Sequence, residues 1–350
     1  MDIQQVARRA NVSTATVSRV LNGFPGVREK TMARVRRAIA ETNYVPNPNA
    51  RSLRVGRSRL FGLIVSDVNN PFFPELIDAF ESLAASESIE VIFTHTNYDP
   101  ARLHSSIRRM VERGVDAIAV MTSEVAPESL QQAVRAGLPL VLMNQGDLAE
   151  KYPNVPVEYA TGFREALAHL LSIGHRDIGF IAGPKELNSA RRRKEAFRSA
   201  LRAHGLTVRR EFIAAGDMRV EGGHAAMEQL LRCRPRPTAV LTSNDLMAVG
   251  ALQAAHEAHV RVPGELSLIG FDDLPIAAML HPALSTIRHP RREVAARAFA
   301  CLQRALRGEK VESLEPLHPH LVLRHSTAPP GSGKPAKAGA RGGREGSRGR

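Results

Sequence analysis

Three hundred and fifty residues exceed what one hydrophobic core usually holds, so the chain should fold as two or three compact units. Its formal charge of +13 sits at the ends: the first sixty residues carry twelve basic side chains against three acidic, the last twenty carry six against one, and the middle balances at −1. No apolar run reaches membrane length, "MDIQQVARRA" lacks the apolar stretch of a signal peptide, and Cys233 and Cys301 stand far apart without metal-type spacing, so the chain is expected to stay in the cytoplasm, and neither a disulfide framework nor a zinc site is indicated.

A basic head on a neutral body implies a polyanion partner for the head and a separate task for the body. Asp2 with Gln5 predicts a capping box, and Ile3, Val6, Ala7 and Ala10 follow at helical spacing. Asn11-Val12 breaks that helix, Ser13 can cap a second with Val17, Val20 and Leu21 inward, and Asn22-Gly23 ends it. A third helix runs from about Arg28 to Thr42, with Met32, Val35 and Ile39 inward. Two short helices joined by a tight turn and braced by a third form the helix-turn-helix plan, whose second helix lies in the major groove. Thr14, Ala15, Thr16, Ser18 and Arg19 then fall on its exposed face or at its start, where bulk would block approach to base edges. Arg19 suits guanine O6 and N7, the methyls of Thr14 and Ala15 suit thymine, and Thr16 and Ser18 suit phosphates. The bland alternative is a small helical bundle with a solvated face.

In "NYVPNPNARSLRVGRSRL", Pro46 and Pro48 stop any helix, yet "ARSLRV" can form a short one once something holds it. Leu53 among Arg51, Arg54, Arg57 and Arg59 fits a wedge between base steps of the minor groove, with the arginines on phosphates; the alternative is a plain linker.

From Leu60 short apolar runs alternate with helical segments. "LFGLIVS", "EVIFTH", "DAIAVMT" and "LPLVLMN" read as buried parallel strands, with helices near 72–87, 100–112 and 127–136. "DIGFIAG", "EFIAAG", "TAVLTS" and "LSLIGFDD" form a second series, with helices near 162–173, 190–204, 221–232 and 246–258. Two consecutive open α/β sheets imply two lobes with a cleft between the carboxyl ends of their strands. Asn70, Phe72, Phe73 and Ser123 stand at those ends in the first lobe, and Arg193, Asn244, Asp245, Asp272 and Asp273 in the second. Amide, carboxylate and guanidinium groups beside aromatic faces suit a hydroxylated small molecule, although Asn70 can equally cap, the two phenylalanines pack and Asp272 close a turn. The tail "PPGSGKPAKAGARGGREGSRGR" has almost nothing to bury and should be disordered.

"VARRANVSTATVSRVLNG", "NYVPNPNARSLRVGRS" and "FGLIVSDVNNPFFPEL" together resemble the lactose/galactose repressor family of bacterial transcription regulators, from about residue 2 to residue 327. The resemblance implies an N-terminal three-helix helix-turn-helix DNA-binding head (1–45) and a hinge (46–59). It also implies a two-lobed, periplasmic-binding-protein-like α/β effector domain (60–327), leaving a basic tail (328–350). One lobe would comprise about 60–159 and 291–319, the other 160–290 and 320–327. Thr14 and Ala15 match the family's base-discriminating pair, Arg19 a third base-contacting position and Leu53 the hinge leucine that opens the operator's centre. With Thr16, Ser18, Asn22 and Arg54 they make the expected DNA-binding set. Asn70, Phe72, Phe73, Ser123, Arg193, Asn244 and Asp272 match effector-contacting positions. Two departures stand out: Val157, followed by Glu158, replaces an aspartate before the lobe-crossing helix, and Met218 replaces an aromatic platform after "GD".

The expectation is a cytoplasmic, homodimeric regulator, a repressor without cofactor, metal or catalytic residues. It would bind a palindromic double-stranded operator under control of a sugar or sugar-like effector. A transporter-coupled solute-binding protein would need a signal peptide and no head. An enzyme would need a nucleophile, base and orienting acid, and none assembles here; "GFIAGPKE" lacks phosphate-loop spacing.

Overall fold

The structure, a computed structural model, describes residues 2–21, 23–44, 57–122, 124–311 and 314–332. It divides into a unit over Met1–Arg59 and a unit over Leu60–Arg350.

The first unit holds α1 (Ile3–Arg9), α2 (Thr14–Leu21) and α3 (Glu29–Thr42). Asp2 caps α1, its carboxylate accepting the Gln5 N–H at 2.9 Å. The Ser13 hydroxyl accepts the Thr16 N–H at 3.2 Å and so starts α2. Each helix ends at a left-handed residue, Asn11, Gly23 or Asn43, with φ of 49°, 66° and 46°. After α2 the Phe24 N–H reaches back to the Arg19 carbonyl and the Gly23 N–H to that of Val20, the paired bonds by which such a residue satisfies a helix end. Val6, Ala7, Ala10, Val17, Val35 and Ala38 form the small core, where short side chains let the helices approach closely. Arg9 of α1 and Arg37 of α3 both pair with Glu41, at 2.8 and 2.9 Å.

The second unit is two sheets with helices on their faces. The first has the order β2-β1-β3-β4-β5, all parallel: β1 (Leu60–Val65), β2 (Glu90–His95), β3 (Ala117–Met121), β4 (Leu140–Met143) and β5 (Asn154–Val155). Between the first four strands lie α4 (Phe72–Ser86), α5 (Pro100–Glu112) and α6 (Pro127–Arg135). The second sheet has the order β11-β10-β9-β8-β6-β7, parallel except for the β10/β11 pair. Its strands are β6 (Ile178–Ala182), β7 (Ile213–Ala215), β8 (Ala239–Thr242), β9 (Ser267–Asp272), β10 (Ser285–Arg288) and β11 (His320–Val322). Between or beside them run α7 (Ala160–Ser172), α8 (Asn188–Ala203), α9 (Val220–Arg232), α10 (Asp245–Glu257) and the short α11 (Pro275–Met279). Central strands β3, β6, β8 and β9 are buried along their whole length, which is why they read as unbroken apolar runs.

Three crossovers join the lobes; the apolar pattern alone marks only the first, while the family resemblance implies the breaks near 291 and 320. After β5 the chain enters α7, whose Gly162 lies so close to Ile287 that a Cβ there would stand 2.4 Å from its side chain. After β10, α12 (Arg291–Leu306) returns to the first lobe and packs on α4, with Phe299 against Phe61 and Phe80 at ring distances of 5.8 and 5.7 Å. The third passes beside the first, where the Leu317 N–H donates to the Pro156 carbonyl and the Glu158 N–H to that of Leu317, each at 2.9 Å. β11 then joins the second sheet at its edge. Residues 328–332, assigned to the tail by sequence, are described, and Ala328 is bonded through both backbone groups, to Ser267 and to His175. Tail residues 333–350 lie outside the described residues.

Candidate functional site

On the head, α2 leaves Thr14, Ala15 and Arg19 exposed, and Arg19 makes no ion pair among the described residues. Thr16 is half-buried, its hydroxyl 3.0 Å from that of Ser13. Ser18 departs from expectation: it is buried, with 8% of its surface exposed. At about 100° per residue, positions 17, 18 and 21 form one stripe, so Ser18 shares the inward face with Val17 rather than the outer face with Arg19. Asn22, Leu53 and Arg54 lie outside the described residues.

In the body the strand ends meet in a cleft lined by Ser66, Asn70, Phe72, Phe73, Tyr98, Met143, Tyr159, Ser189, Arg193, Met218, Asn244, Asp272 and His289. Six of the seven expected effector residues therefore come together; Ser123 lies outside the described residues. At its centre Arg193 Nη2 donates to Asp272 Oδ1 at 3.1 Å and Nη1 to the Ser243 carbonyl at 2.5 Å. The guanidinium lies 4.0 Å from the Phe271 ring centre and 5.2 Å from that of Tyr159. Burial works against the Arg193 charge, but Asp272 and Tyr159 outweigh it and hold its pKa above the usual value. Asp272 has φ of 112° and Asp273 of 57°, two successive non-glycine residues with left-handed backbone, each carrying strain of about 1–3 kcal/mol. The Asp273 carboxylate is clamped by Arg288 at 2.6 Å and Arg324 at 2.7 Å. Burial pushes its pKa up, but the two arginines prevail and leave it lowered.

The amides serve the backbone. Asn70 Oδ1 accepts the Phe72 N–H at 3.0 Å, and Asn244 caps α10, Oδ1 accepting the Met247 N–H at 2.9 Å while Nδ2 donates to the Met218 carbonyl at 2.8 Å. Phe72 and Phe73 meet edge to face at 5.0 Å. His289 lies 4.9 Å from the Phe72 ring, and its buried Nδ1 has no hydrogen-bond partner among the described residues. Burial, then the charges of Arg193 and Arg291, pull its pKa well below the usual imidazole value, so it is neutral. Asp245, beside the cleft, is pushed up to about 8 by burial and then by Asp272. It organises the wall by accepting the Leu274 N–H at 2.7 Å and the Thr286 hydroxyl at 2.6 Å.

Ser66, Tyr98, Met143, Tyr159, Ser189 and His289 were not found by sequence. Tyr159 and His289 adjoin crossovers, and only the topology turns such positions toward a cleft. Val157 is buried and pairs with Leu317. The carboxylate of Glu158 does not replace the missing aspartate: it accepts the Ala160 and Thr161 N–H groups at 2.7 and 3.0 Å, starting α7. Among the described residues no group of three histidine, cysteine or acidic side chains could hold a metal, and no helix is long and apolar enough to cross a membrane.

A helix-turn-helix head and a two-lobed body with its cleft at facing strand ends define a DNA-binding regulator of the periplasmic-binding-protein-like type. Residues 2–47 match bacterial regulatory proteins of the lacI family, and 167–327 match the periplasmic binding protein-like domain. The HTH-type transcriptional repressor PurR of Pectobacterium carotovorum is 36% identical over 329 residues, spanning 93% of this chain and 96% of that protein. PurR of Proteus mirabilis is 37% identical over 333 residues, with the same coverage. Among solved structures, the lac repressor dimer bound to operator and the anti-inducer ONPF superimposes with a TM-score of 0.84 at 26% identity, covering 94% of this chain and 99% of that one. The complex of the regulator CelR with cellobiose gives 0.69 at 27% identity, covering 93% and 99%. The chain belongs to the lacI family of bacterial regulatory proteins. It is a transcriptional repressor and not an enzyme.

Proposed function

We propose that the protein is a homodimer that binds a palindromic operator and is controlled by a neutral, hydroxylated, ring-shaped metabolite of the sugar class held in the cleft. The buried Arg193–Asp272 pair carries this reading: it brings one positive and one negative group to the cleft's floor, so their charges cancel and the lining favours a neutral ligand. Its donors and acceptors stand beside Phe72 and Phe73, the mixture a hydroxylated ring needs. The cleft has room for only about 50 Å³, enough for a few waters, so a ligand of that size requires the lobes to part or the lining to move. That requirement couples occupancy to lobe geometry, and a ligand with different affinities for the two arrangements shifts the repressor between them.

The DNA-reading set is Thr14, Ala15 and Arg19 from α2 with Leu53 of the hinge, and Thr16 at the helix start on phosphate. Two heads on one dimer would read two half-sites while paired leucines bend the centre. A flat heteroaromatic base is the second reading of the ligand, favoured by the rings of Phe72, Phe73, Tyr98 and Tyr159 along the lining.

Selection from a random duplex pool at near-physiological salt tests the DNA half. Enrichment of a palindrome supports it, and no enrichment overturns sequence-specific binding by the chain alone. Screening neutral sugars against free bases for release or tightening on the selected duplex separates the two ligand readings, and sole response to an anionic ligand overturns both.

A further inference from the structure

Arg291 is the first residue of α12, and only 6% of its side chain is exposed. Its guanidinium makes four hydrogen bonds to groups on both lobes. Nε and Nη2 donate to Glu75 Oε2 at 2.9 and 2.6 Å, Nη1 donates to the Asp272 carbonyl, and Nη2 donates also to the Asp273 carbonyl at 3.0 Å. Glu75 belongs to α4, the helix of the first lobe that begins at Phe72 and Phe73. The two carbonyls belong to the left-handed turn of the second lobe that aims the Asp272 carboxylate into the cleft.

Those bonds have different dependents. The Asp273 carboxylate is held by Arg288 and Arg324 from its own lobe, and the Asp272 carboxylate by Arg193, also from its own lobe. Arg291 instead ties the backbone of the turn to a carboxylate within one helical turn of the aromatic pair. A guanidinium fits because its rigid fork serves a carboxylate and two carbonyls at once, whereas an ammonium is a point charge on a flexible stem.

We infer that Arg291 is a positioning residue that fixes the cleft's two walls relative to each other, holding the Asp272 turn of one lobe in register with the Phe72–Phe73 helix of the other. A pull on Asp272 is thereby transmitted to α4 through two side chains. The proposed ligand supplies a reason for such a link, but the link rests on the lobes alone and survives if that ligand reading fails.

The test uses the full chain with Cys233→Ser, leaving Cys301 buried, and nitroxide labels at Gln131→Cys on α6 and Ala225→Cys on α9, both exposed positions on different lobes. Labelled chain is diluted into unlabelled chain, and the interlobe distance distribution is read by pulsed electron resonance without DNA or ligand. Arg291→Lys and Glu75→Gln are each expected to broaden the distribution or shift it by several ångströms. Arg304→Gln, which removes a half-exposed ion pair with Glu309 near the far end of the same helix, is expected to leave it unchanged. If Arg291→Lys fails to fold, Glu75→Gln retains the arginine and decides the matter. A wild-type distribution in these variants, even with a lowered Tm, would reduce Arg291 to a stabilising ion pair and overturn the inference. Loss of operator recognition has no bearing on this readout, so failure of the functional reading and failure of the link are separable.

Discussion

Arg192 of one lobe donates to Asn144 of the other: Nη1 reaches the Asn144 carbonyl at 3.1 Å and its side-chain oxygen as well. Asn144 has φ of 54° at the end of β4, and its Oδ1 also accepts the Val157 N–H at 3.2 Å, so the tie pulls on the first crossover. Because Arg192 is half-buried, the contact is worth about 1 kcal/mol, enough to bias an opening equilibrium but not to prevent it. Arg192→Gln is expected to increase the radius of gyration in small-angle scattering of the ligand-free chain with little change in Tm. An unchanged radius would show that other contacts close the mouth.

Arg193 and Asp272 are a buried pair, and removing one partner strands the other. Arg193→Met is expected to destabilise the body by about 3–5 kcal/mol in urea unfolding, and Arg193→Met with Asp272→Asn by much less than the sum of the single changes. Additive losses would mean that the two groups are held independently, by the Ser243 carbonyl and the backbone turn, with little coupling across the 3.1 Å contact.

Up to β9 the strands other than two-residue β5, and the helices between them, were legible because parallel strands covered on both faces leave unbroken apolar runs and amphipathic helices leave periodic ones. What followed was less so. β10 sets one Ile287 among Ser285, Thr286 and Arg288, and β11 is a three-residue edge strand, so neither has a strong local signature; α12 does carry helical spacing at Val294, Ala298, Cys301 and Leu302, which was passed over. The cleft was half legible: charged and aromatic residues at strand ends could be picked out, whereas His289 and Tyr159 reach it only through the crossovers. Ser18 was misplaced because a serine among exposed polar neighbours carries no sign of burial; only the angular position beside Val17 reveals it.

The pH dependence of stability should have two limbs. Burial lowers the pKa of His289 well below 6.5 and that of His175 below it, so each holds a proton less readily in the fold than in the unfolded chain. Their contribution is complete above pH 6.5 and is lost as pH falls below it, because the unfolded chain then takes up protons that the folded chain refuses. Asp245 runs the other way: raised from 3.8 to about 8, it favours the fold fully below 3.8 and loses that contribution as pH rises to about 8. Urea unfolding between pH 5 and 8.5 should show Asp245→Asn flattening the alkaline limb and His289→Gln the acid one. An Asp245→Asn curve parallel to the wild type would place this carboxylate's ionisation near its ordinary value.

Arg19 and Leu53 offer the sharpest division of labour on DNA. Exposed Arg19, unpaired among the described residues, is expected to read a base edge, so Arg19→Ala should weaken binding to the selected operator by about 1–3 kcal/mol and relax preference at one position per half-site. If Arg19 contacted only phosphate, loss would be equal on operator and random duplex, and the salt slope would fall by about one. Leu53→Ala should instead leave affinity for random duplex nearly intact while reducing operator affinity and bending, because unstacking of the central step is repaid only where that step deforms readily. Binding titrations on both duplexes at two salt concentrations, with bending read by fluorescence transfer across the operator, separate the roles. Undiminished bending by Leu53→Ala would remove the wedge, leaving the hinge arginines as the hinge's contribution to binding.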